Sequence, residues 1–305
     1  MTDTLSQYSV LALYSSMAIY AIAFVLFTLD LAKGASSDSA PVGEATTVAV
    51  VPERRKLARI AMSLTVLGFV LQFAATMMRG FAASRVPWAN MYEFAMTGTL
   101  VIVAVFLIVN LKWDMKFLGA FITGLVLLLL GLAATRYYVE VVPLPPALQS
   151  YWLVIHVFVA TLATGFFALG FALSLMQLLQ TKRENAVAAN EKTRLGFLTR
   201  LPDSVQLENY AYRLIIIGFV LWTFTLIAGA IWAEKAWGRY WGWDTKEVWT
   251  FIIWTVYAGY IHARSTRGWR GTRSAWLAIV GFAAVIFNFT VVNIFFKGLH
   301  AYSGL

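Results

Sequence analysis

Long apolar runs separated by short polar segments dominate the pattern of this chain. A transmembrane helix needs about 20 mostly apolar residues, and eight runs approach or exceed that length. They lie at roughly 9–32, 57–79, 91–111, 117–135, 150–178, 210–232, 248–263 and 274–296. The pattern therefore predicts an all-α, polytopic integral membrane protein with about eight transmembrane helices.

Composition supports the same class. Hydrophobic residues make up 60% of the chain and charged residues 13%, whereas charged residues account for about 25% of an average soluble domain. The N-terminal stretch MTDTLSQYS has no basic residue and the apolar run behind it is too long for a signal peptide, so we expect no cleavable signal. Cysteine is absent, which excludes disulfides and thiol chemistry on this chain.

The basic residues indicate how the spans are oriented. The connections after spans one, three, five and seven carry 16 Lys and Arg residues, and those on the other side carry seven. The positive-inside rule then places the basic connections in the cytoplasm and both termini on the outer face. The net charge of +9 is thus mostly a topology signal with some attraction to membrane lipid, and it does not indicate a nucleic-acid partner.

Two of the cytoplasmic connections are long, 33–56 and 180–208. Their Ala, Ser, Thr, Asn and charged residues predict flexible loops with room for short surface helices. The chain has no Gly-rich phosphate loop, which argues against ATP hydrolysis.

A tryptophan-dense stretch, WGRYWGWDTKE, separates the sixth and seventh predicted spans. An interfacial belt is one explanation, because Trp and Tyr favour the headgroup level of a membrane. Gly238 and Gly242 between the rings would also let the backbone approach a flat surface. The stretch therefore suits a flat, apolar ligand that carries carboxylates, such as a porphyrin. The rings belong to Trp237, Tyr240, Trp241 and Trp243.

Charged residues in this stretch allow two functions. Arg239 or Lys246 could pair with the propionates of a haem, or either could remain a solvated loop charge. Asp244 and Glu247 could instead cap the helix that begins the seventh span, since carboxylates favour a helix N-terminus. Capping is the stronger interpretation for Glu247.

The chain contains three histidines, and their predicted depths differ. His156 lies about six residues into the fifth span and His300 follows the last span, so both are expected near the outer face, where they could ligate a haem iron from its two sides. His262 is expected near the cytoplasmic end and has no histidine partner there. It is either structural or half of a site completed by another subunit. A structural or interfacial role stays open for all three.

Five segments together resemble the CcsA (ResC) family of cytochrome c biogenesis proteins, which belongs to the haem-handling superfamily with the tryptophan-rich WWD signature. The similarity covers about residue 57 to the C-terminus. Thr245 stands where the family usually has proline, and Ala301 where it has serine. The segments are WGRYWGWDTKEVW (237–249), QSYWLVIHV (149–157), GLHAYSG (298–304), WTVYAGYIHAR (254–264) and PWANMYEF (87–94).

The resemblance implies a haem-handling subunit of a membrane cytochrome c synthase. It implies haem b as substrate and ligand, a CcsB/ResB-like membrane partner, and an apocytochrome c whose CxxCH cysteines receive the haem through thioether bonds. His156 and His300 match the external iron ligands, and His262 matches an inner ligand whose partner is on the other subunit. Thiol-reducing proteins would act indirectly. Synthase activity would require the complex, and no catalytic residue is assigned.

The same resemblance sets the expected location and organisation. It implies a multi-pass protein of the bacterial cytoplasmic membrane that helps to move haem across and presents it, reduced, on the outer face. The WWD loop, about 233–249, would present the haem vinyl groups. We expect a first helix and cytoplasmic loop over 1–56, and a haem-handling core over 57–305.

Two other functions stay open. The chain could be a haem b electron-transfer subunit, although such subunits usually hold haem between paired histidines on facing helices. It could also export haem without synthase chemistry, although the inverted repeats that many transporters carry are not evident.

Overall fold

The computed structural model describes residues 2–36, 56–141, 149–191, 193, 195–266, 268–296 and 298–299. All regular structure within these ranges is helical, which confirms the all-α prediction. The α-helices are α1 (Thr2–Ser36), α2 (Lys56–Ala83), α3 (Met91–Lys112), α4 (Gly119–Arg136), α5 (Tyr151–Ala188), α6 (Ser204–Trp237), α7 (Thr245–Ser265), α8 (Thr272–Phe289) and α9 (Val291–Phe295). Short 3-10 helices cover Lys116–Leu118 and Gly196–Arg200.

Seven helical segments in the described part of the chain are long and apolar enough to cross a membrane, which confirms a polytopic membrane protein. They are α1 to α6 and the segment Thr272–Phe295, which contains both α8 and α9. The predicted span 248–263 forms α7, a helix of 21 residues and about 31 Å. α7 is not among the seven, because its many Trp, Tyr and Thr residues lower its mean hydropathy. The count of eight spans and the outer location of the termini stay predictions.

The prediction of a flexible loop over 180–208 was wrong for much of that range. α5 continues to Ala188 and α6 begins at Ser204, so α5 alone is about 57 Å long, against about 30 Å for the hydrocarbon core of a bilayer. The Glu184 carboxylate fixes the start of α6, because it accepts hydrogen bonds from the Ser204 amide (3.0 Å) and the Ser204 hydroxyl (2.5 Å). The predicted loop 33–56 lies largely outside the described residues.

The most extensive packing is between α1 and α2 and between α5 and α6, and the cross-helix contacts of both pairs run in antiparallel order. Buried polar contacts fix the register of the first three helices: the Tyr20 hydroxyl donates to the Gln72 side-chain oxygen (2.9 Å), and the Gln72 amide donates to the Thr99 hydroxyl (2.7 Å). In the second half of the bundle the rings of Phe167 and Tyr257 stack at 3.8 Å. The turn between α2 and α3, the end of α4, the start of α5, the connection from α6 to α7 and the end of α8 lie around one cavity at one end of the bundle, which we call the tryptophan-loop end.

Candidate functional site

A seven-residue loop joins α6 to α7 and carries most of the tryptophan-dense stretch. α6 stops because Gly238 adopts a left-handed conformation (φ +71°), which glycine tolerates without a steric penalty. α7 starts at Thr245, after the cap residue Asp244. The predicted loop of about 233–249 is therefore only 238–244, and its flanks are helical. We call 238–244 the tryptophan loop.

Glu247 organises this loop from the first turn of α7. Its carboxylate is only 7% exposed and accepts from the Gly242 amide (2.8 Å), the Asp244 amide (3.0 Å) and the Arg239 guanidinium (3.2 Å). Asp244 and Glu247 form a reciprocal capping box, which confirms the predicted caps. The Arg239 guanidinium folds over Gly242 so closely that a Cβ there would overlap it.

The aromatic rings of the loop divide between exposed and partly buried positions. Trp243 is 75% exposed and holds a left-handed backbone (φ +60°), which is rare and strained for a large side chain. Its ring meets Trp241 edge-on at 5.9 Å, and Tyr240 is exposed. Trp237, at the end of α6, meets the buried Trp232 edge-on at 4.7 Å. The loop thus presents Tyr240 and Trp243 outward.

His156 lies in the second turn of α5, beside α6. Its Nδ1 atom is 3.0 Å from the backbone oxygen of Thr225. A carbonyl oxygen can only accept, so this contact favours the neutral tautomer with the proton on Nδ1, in which Nε2 is the acceptor. The ring stacks on Trp232 at 5.9 Å and 17°. Gly229 makes room for it, because a Cβ there would lie 2.7 Å from His156 Cε1.

Two neighbouring cavities meet at His156. The larger, of about 210 Å³, is mostly apolar and extends into the bundle past Ala160 and Thr164, one and two turns along α5. The smaller, of about 60 Å³, lies under the tryptophan loop. The smaller cavity brings together four residues predicted to hold the ligand, which are His156, Tyr240, Trp241 and Lys246.

Lys246 lines both cavities. It lies in the first turn of α7, before the predicted span 248–263, and its Nζ atom donates to Asn293 Oδ1 at 2.6 Å. Burial lowers the pKa of Lys246 to about 8, and the nearby charge of Asp244 acts in the opposite direction. The cavity therefore has an ammonium group at the end next to the tryptophan loop.

The segment before His300 contacts the tryptophan loop. The Leu299 amide donates to Asp244 Oδ1 at 3.3 Å, and Gly298 is so close to this carboxylate that a Cβ would overlap it. His300 itself lies outside the described residues, so its role as second external ligand stays a prediction.

His262 lies apart from the other site residues. It is in the last turn of α7, at the opposite end of the helix from Lys246, and its side chain is exposed. The sequence predicts that His262 and His156 lie apart, and the described structure does not bring them together. Its predicted role as an inner ligand completed by another subunit stays a prediction.

A buried ion-pair cluster supports the wall of the larger cavity. Glu93, which is fully buried, accepts from Arg79 Nε (3.0 Å), from Arg85 Nη1 (2.6 Å) and from the Ala89 amide (3.0 Å). These contacts fix the turn that carries Trp88 into the cavity wall. The PWANMYEF segment thus has a structural role at this site.

Several site residues were not predicted from the sequence. Gly229, Thr225 and Trp232 shape the His156 pocket through contacts between α5 and α6, and no local pattern marks them. Asn288 and Asn293 line the larger cavity, and they could have been found because each places an amide within the otherwise apolar run 274–296.

The fold and site define a multi-pass helical membrane protein with an imidazole and an ammonium group facing an aromatic-rich cavity. The family model described as "Cytochrome C assembly protein" matches residues 88–300. Similar curated proteins named "Cytochrome c biogenesis protein CcsA" come from Trieres chinensis (32% identity, 82% of this chain and 88% of the relative) and Guillardia theta (36% identity, 72% and 77%). The chain belongs to the CcsA family of cytochrome c biogenesis proteins, as the motifs predicted.

A solved structure shares the fold. The "Cytochrome c Heme Lyase CcmF" superposes with a TM-score of 0.65 over 93% of this chain and 46% of its own, at 17% identity. At 93% of the chain, the structural similarity covers more of it than residues 88–300, which the family model matches.

Proposed function

We propose that this chain is the haem-handling subunit of a membrane cytochrome c synthase, which binds reduced haem b at the tryptophan-loop end and presents it to the CxxCH cysteines of apocytochrome c. The observation that carries the proposal is the setting of His156. Its Nδ1 proton is directed to the Thr225 carbonyl, and its ring faces a cavity shared with Tyr240, Trp241 and Lys246.

The residues present fit a haem substrate. A neutral imidazole whose other nitrogen is fixed by a backbone oxygen is a normal axial ligand for haem iron. His156 and His300 would hold the iron, and the rings of Trp237, Tyr240, Trp241 and Trp243 would face the macrocycle. Lys246 is favoured over Arg239 as a propionate partner, since the Arg239 guanidinium is ion-paired with Glu247. Asp244 would act indirectly, because it caps α7 at the end of the loop.

The chemistry demands positioning more than acid–base catalysis. Each thioether forms when a cysteine S–H adds across a haem vinyl C=C: the S–C bond forms, the thiol proton goes to the other vinyl carbon, and nothing is oxidised or reduced overall. This chain would bind and orient the haem and leave the vinyl edge accessible. The exposed Trp243 and Tyr240 mark where the apocytochrome would approach.

The proposed complex includes a CcsB/ResB-like membrane protein. His262, exposed near the end of α7, would ligate an inner haem together with a residue of that partner, and haem would then cross to the tryptophan-loop end. The complex would lie in the bacterial cytoplasmic membrane, and the distribution of basic residues supports an orientation with this end outside. Thiol-reducing proteins would act on the apocytochrome.

The test is covalent transfer in a co-expression system. We expect the chain, its partner and an apocytochrome to yield covalently haem-bearing cytochrome, and the yield to fall at least about tenfold in His156→Ala. A synthase requires intact CxxCH cysteines in the acceptor. Haem binding without any cysteine-dependent transfer would instead identify an electron-transfer subunit or an exporter.

A further inference from the structure

The larger cavity reaches the lateral surface of the bundle beside α4. Leu132, one turn before the end of α4, lines this cavity and is 42% exposed, which makes it the most exposed of the described residues in the cavity wall. Leu128, one turn earlier on the same side of the helix, is 69% exposed and lies outside the cavity. Leu132 therefore lies at the edge where the cavity wall meets the lateral surface.

The packing of α4 against α5 changes along the two helices. Near the start of α4, the rings of Phe121 and Phe171 meet edge-on at 5.7 Å. Leu132 follows Phe121 by 11 residues, and Ala160 precedes Phe171 by 11 residues. Because the two helices run in opposite directions, Leu132 and Ala160 both lie about 16 Å nearer the tryptophan-loop end, where both line the cavity. The cavity therefore separates α4 from α5 at the level where Leu132 is exposed.

Ring contacts close two other sides of the cavity. At its inner end the rings of Phe171 and Phe282 stack at 4.8 Å. Between α3 and α8 the rings of Phe94 and Phe289 stack at 4.6 Å. The described part of the cavity is thus packed at its inner end and between α3 and α8, and it is exposed beside α4.

The surface around this edge is apolar and belongs to a membrane-spanning segment. Lys116–Arg136 is long and apolar enough to cross a membrane. Leu132 lies four residues and about 6 Å before Arg136, so its exposed side would contact lipid. An opening there admits a ligand that partitions into lipid, as haem does, because its macrocycle is apolar apart from the propionates. A strongly charged ligand from water would have to cross hydrocarbon to reach it.

We propose that haem enters the larger cavity sideways from the membrane, through an opening beside Leu132 of α4. This route rests on the proposed function, and it adds the path by which the substrate reaches His156, which lines the same cavity. Because entry and exit follow one path in opposite directions, haem that is not transferred leaves through the same opening. Leu132 borders the path and has no part in the thioether chemistry.

The test uses the absence of cysteine from the chain. Leu132→Cys introduces a single thiol, and a bulky maleimide attached to it after folding obstructs the opening. The purified full-length chain is placed in phospholipid vesicles that contain reduced haem, and uptake is followed by absorption. Release of bound haem is measured with an excess of apomyoglobin. We expect the label to slow both uptake and release by about tenfold or more.

Leu128→Cys is the matched control. Residue 128 is even more exposed on the same side of α4, but it does not line the cavity. The same label at this position should change both rates by less than about twofold. Leu132→Cys without the label should take up haem at the wild-type rate, which establishes that the variant folds.

Rates and affinity together separate an entry route from a role of Leu132 in the site itself. A blocked route slows uptake and release equally and leaves the equilibrium haem affinity unchanged, because the site is intact. Unchanged rates in labelled Leu132→Cys, or a lower equilibrium affinity, would overturn the proposed route and leave the proposed function in place. If the wild type bound no haem, the proposed function would fail, and the route with it.

Discussion

The imidazole of His156 occupies the space that a side chain at Gly229 would fill. A Cβ at residue 229 would lie 2.7 Å from His156 Cε1 and 2.9 Å from Nδ1. The hydrogen bond from Nδ1 to the Thr225 carbonyl fixes the ring in this position. The orientation of the proposed iron ligand thus depends on the absence of a side chain one turn further along α6.

Gly229→Ala is therefore expected to displace His156 without removing it. Loss of the support that orients a histidine ligand typically weakens metal binding by about 10–100-fold. We expect a loss of haem affinity in that range and a shifted reduced spectrum. Gly259→Ala is the matched control, because a Cβ at Gly259 in α7 meets nothing within 4 Å. Equal haem affinity in the two variants would contradict this packing argument.

Glu247 is expected to be the residue on which the loop fold depends most. Glu247→Ala leaves the amides of Gly242 and Asp244 and the guanidinium of Arg239 without their acceptor. We expect a destabilisation of about 2–4 kcal/mol, measured as a lower unfolding midpoint in detergent. Glu234→Ala, which breaks only an exposed ion pair with Lys235, should change stability by less than about 1 kcal/mol.

We predict that Trp243 lowers the stability of the chain and is nevertheless needed for its function. Its left-handed backbone favours glycine, so Trp243→Gly should be more stable than Trp243→Ala by about 1 kcal/mol. Both variants should nevertheless give less covalent cytochrome, because both lack the exposed ring. Wild-type yield from Trp243→Gly would show that this indole does not present the haem. The measurements are the unfolding midpoint and the yield from the co-expression system.

Haem affinity should depend on pH through Lys246. Its pKa in the folded chain, about 8, is below the ordinary value of 10.5, so half of the ammonium form is already lost at about pH 8. Binding a carboxylate above that pH requires proton uptake, so affinity for the free-acid porphyrin should fall as pH rises from 8, by at most about tenfold per unit. The affinity for the dimethyl ester of haem, in which both propionates are uncharged, should not change with pH in this way. The affinity of the Lys246→Met variant for the free acid should not either.

Local patterns predicted the helices well and the interhelical contacts poorly. The apolar runs placed every long helix, and Asp244 and Glu247 had the spacing of a helix cap. The polar end of α5 was missed because its helix continues past the apolar run and is held by Glu184, which contacts Ser204. Contacts such as Gly229 with His156 join residues 73 positions apart, and they depend on how α5 and α6 pack.

The reduced visible spectrum tests the central claim most directly. It should be recorded on the chain purified with its partner from a haem-replete host, together with His156→Ala and His262→Ala. We expect a six-coordinate haem b signal that His156→Ala removes from the outer site and that His262→Ala leaves in place there. An unchanged haem content and spectrum in His156→Ala would contradict a haem site at the tryptophan-loop end.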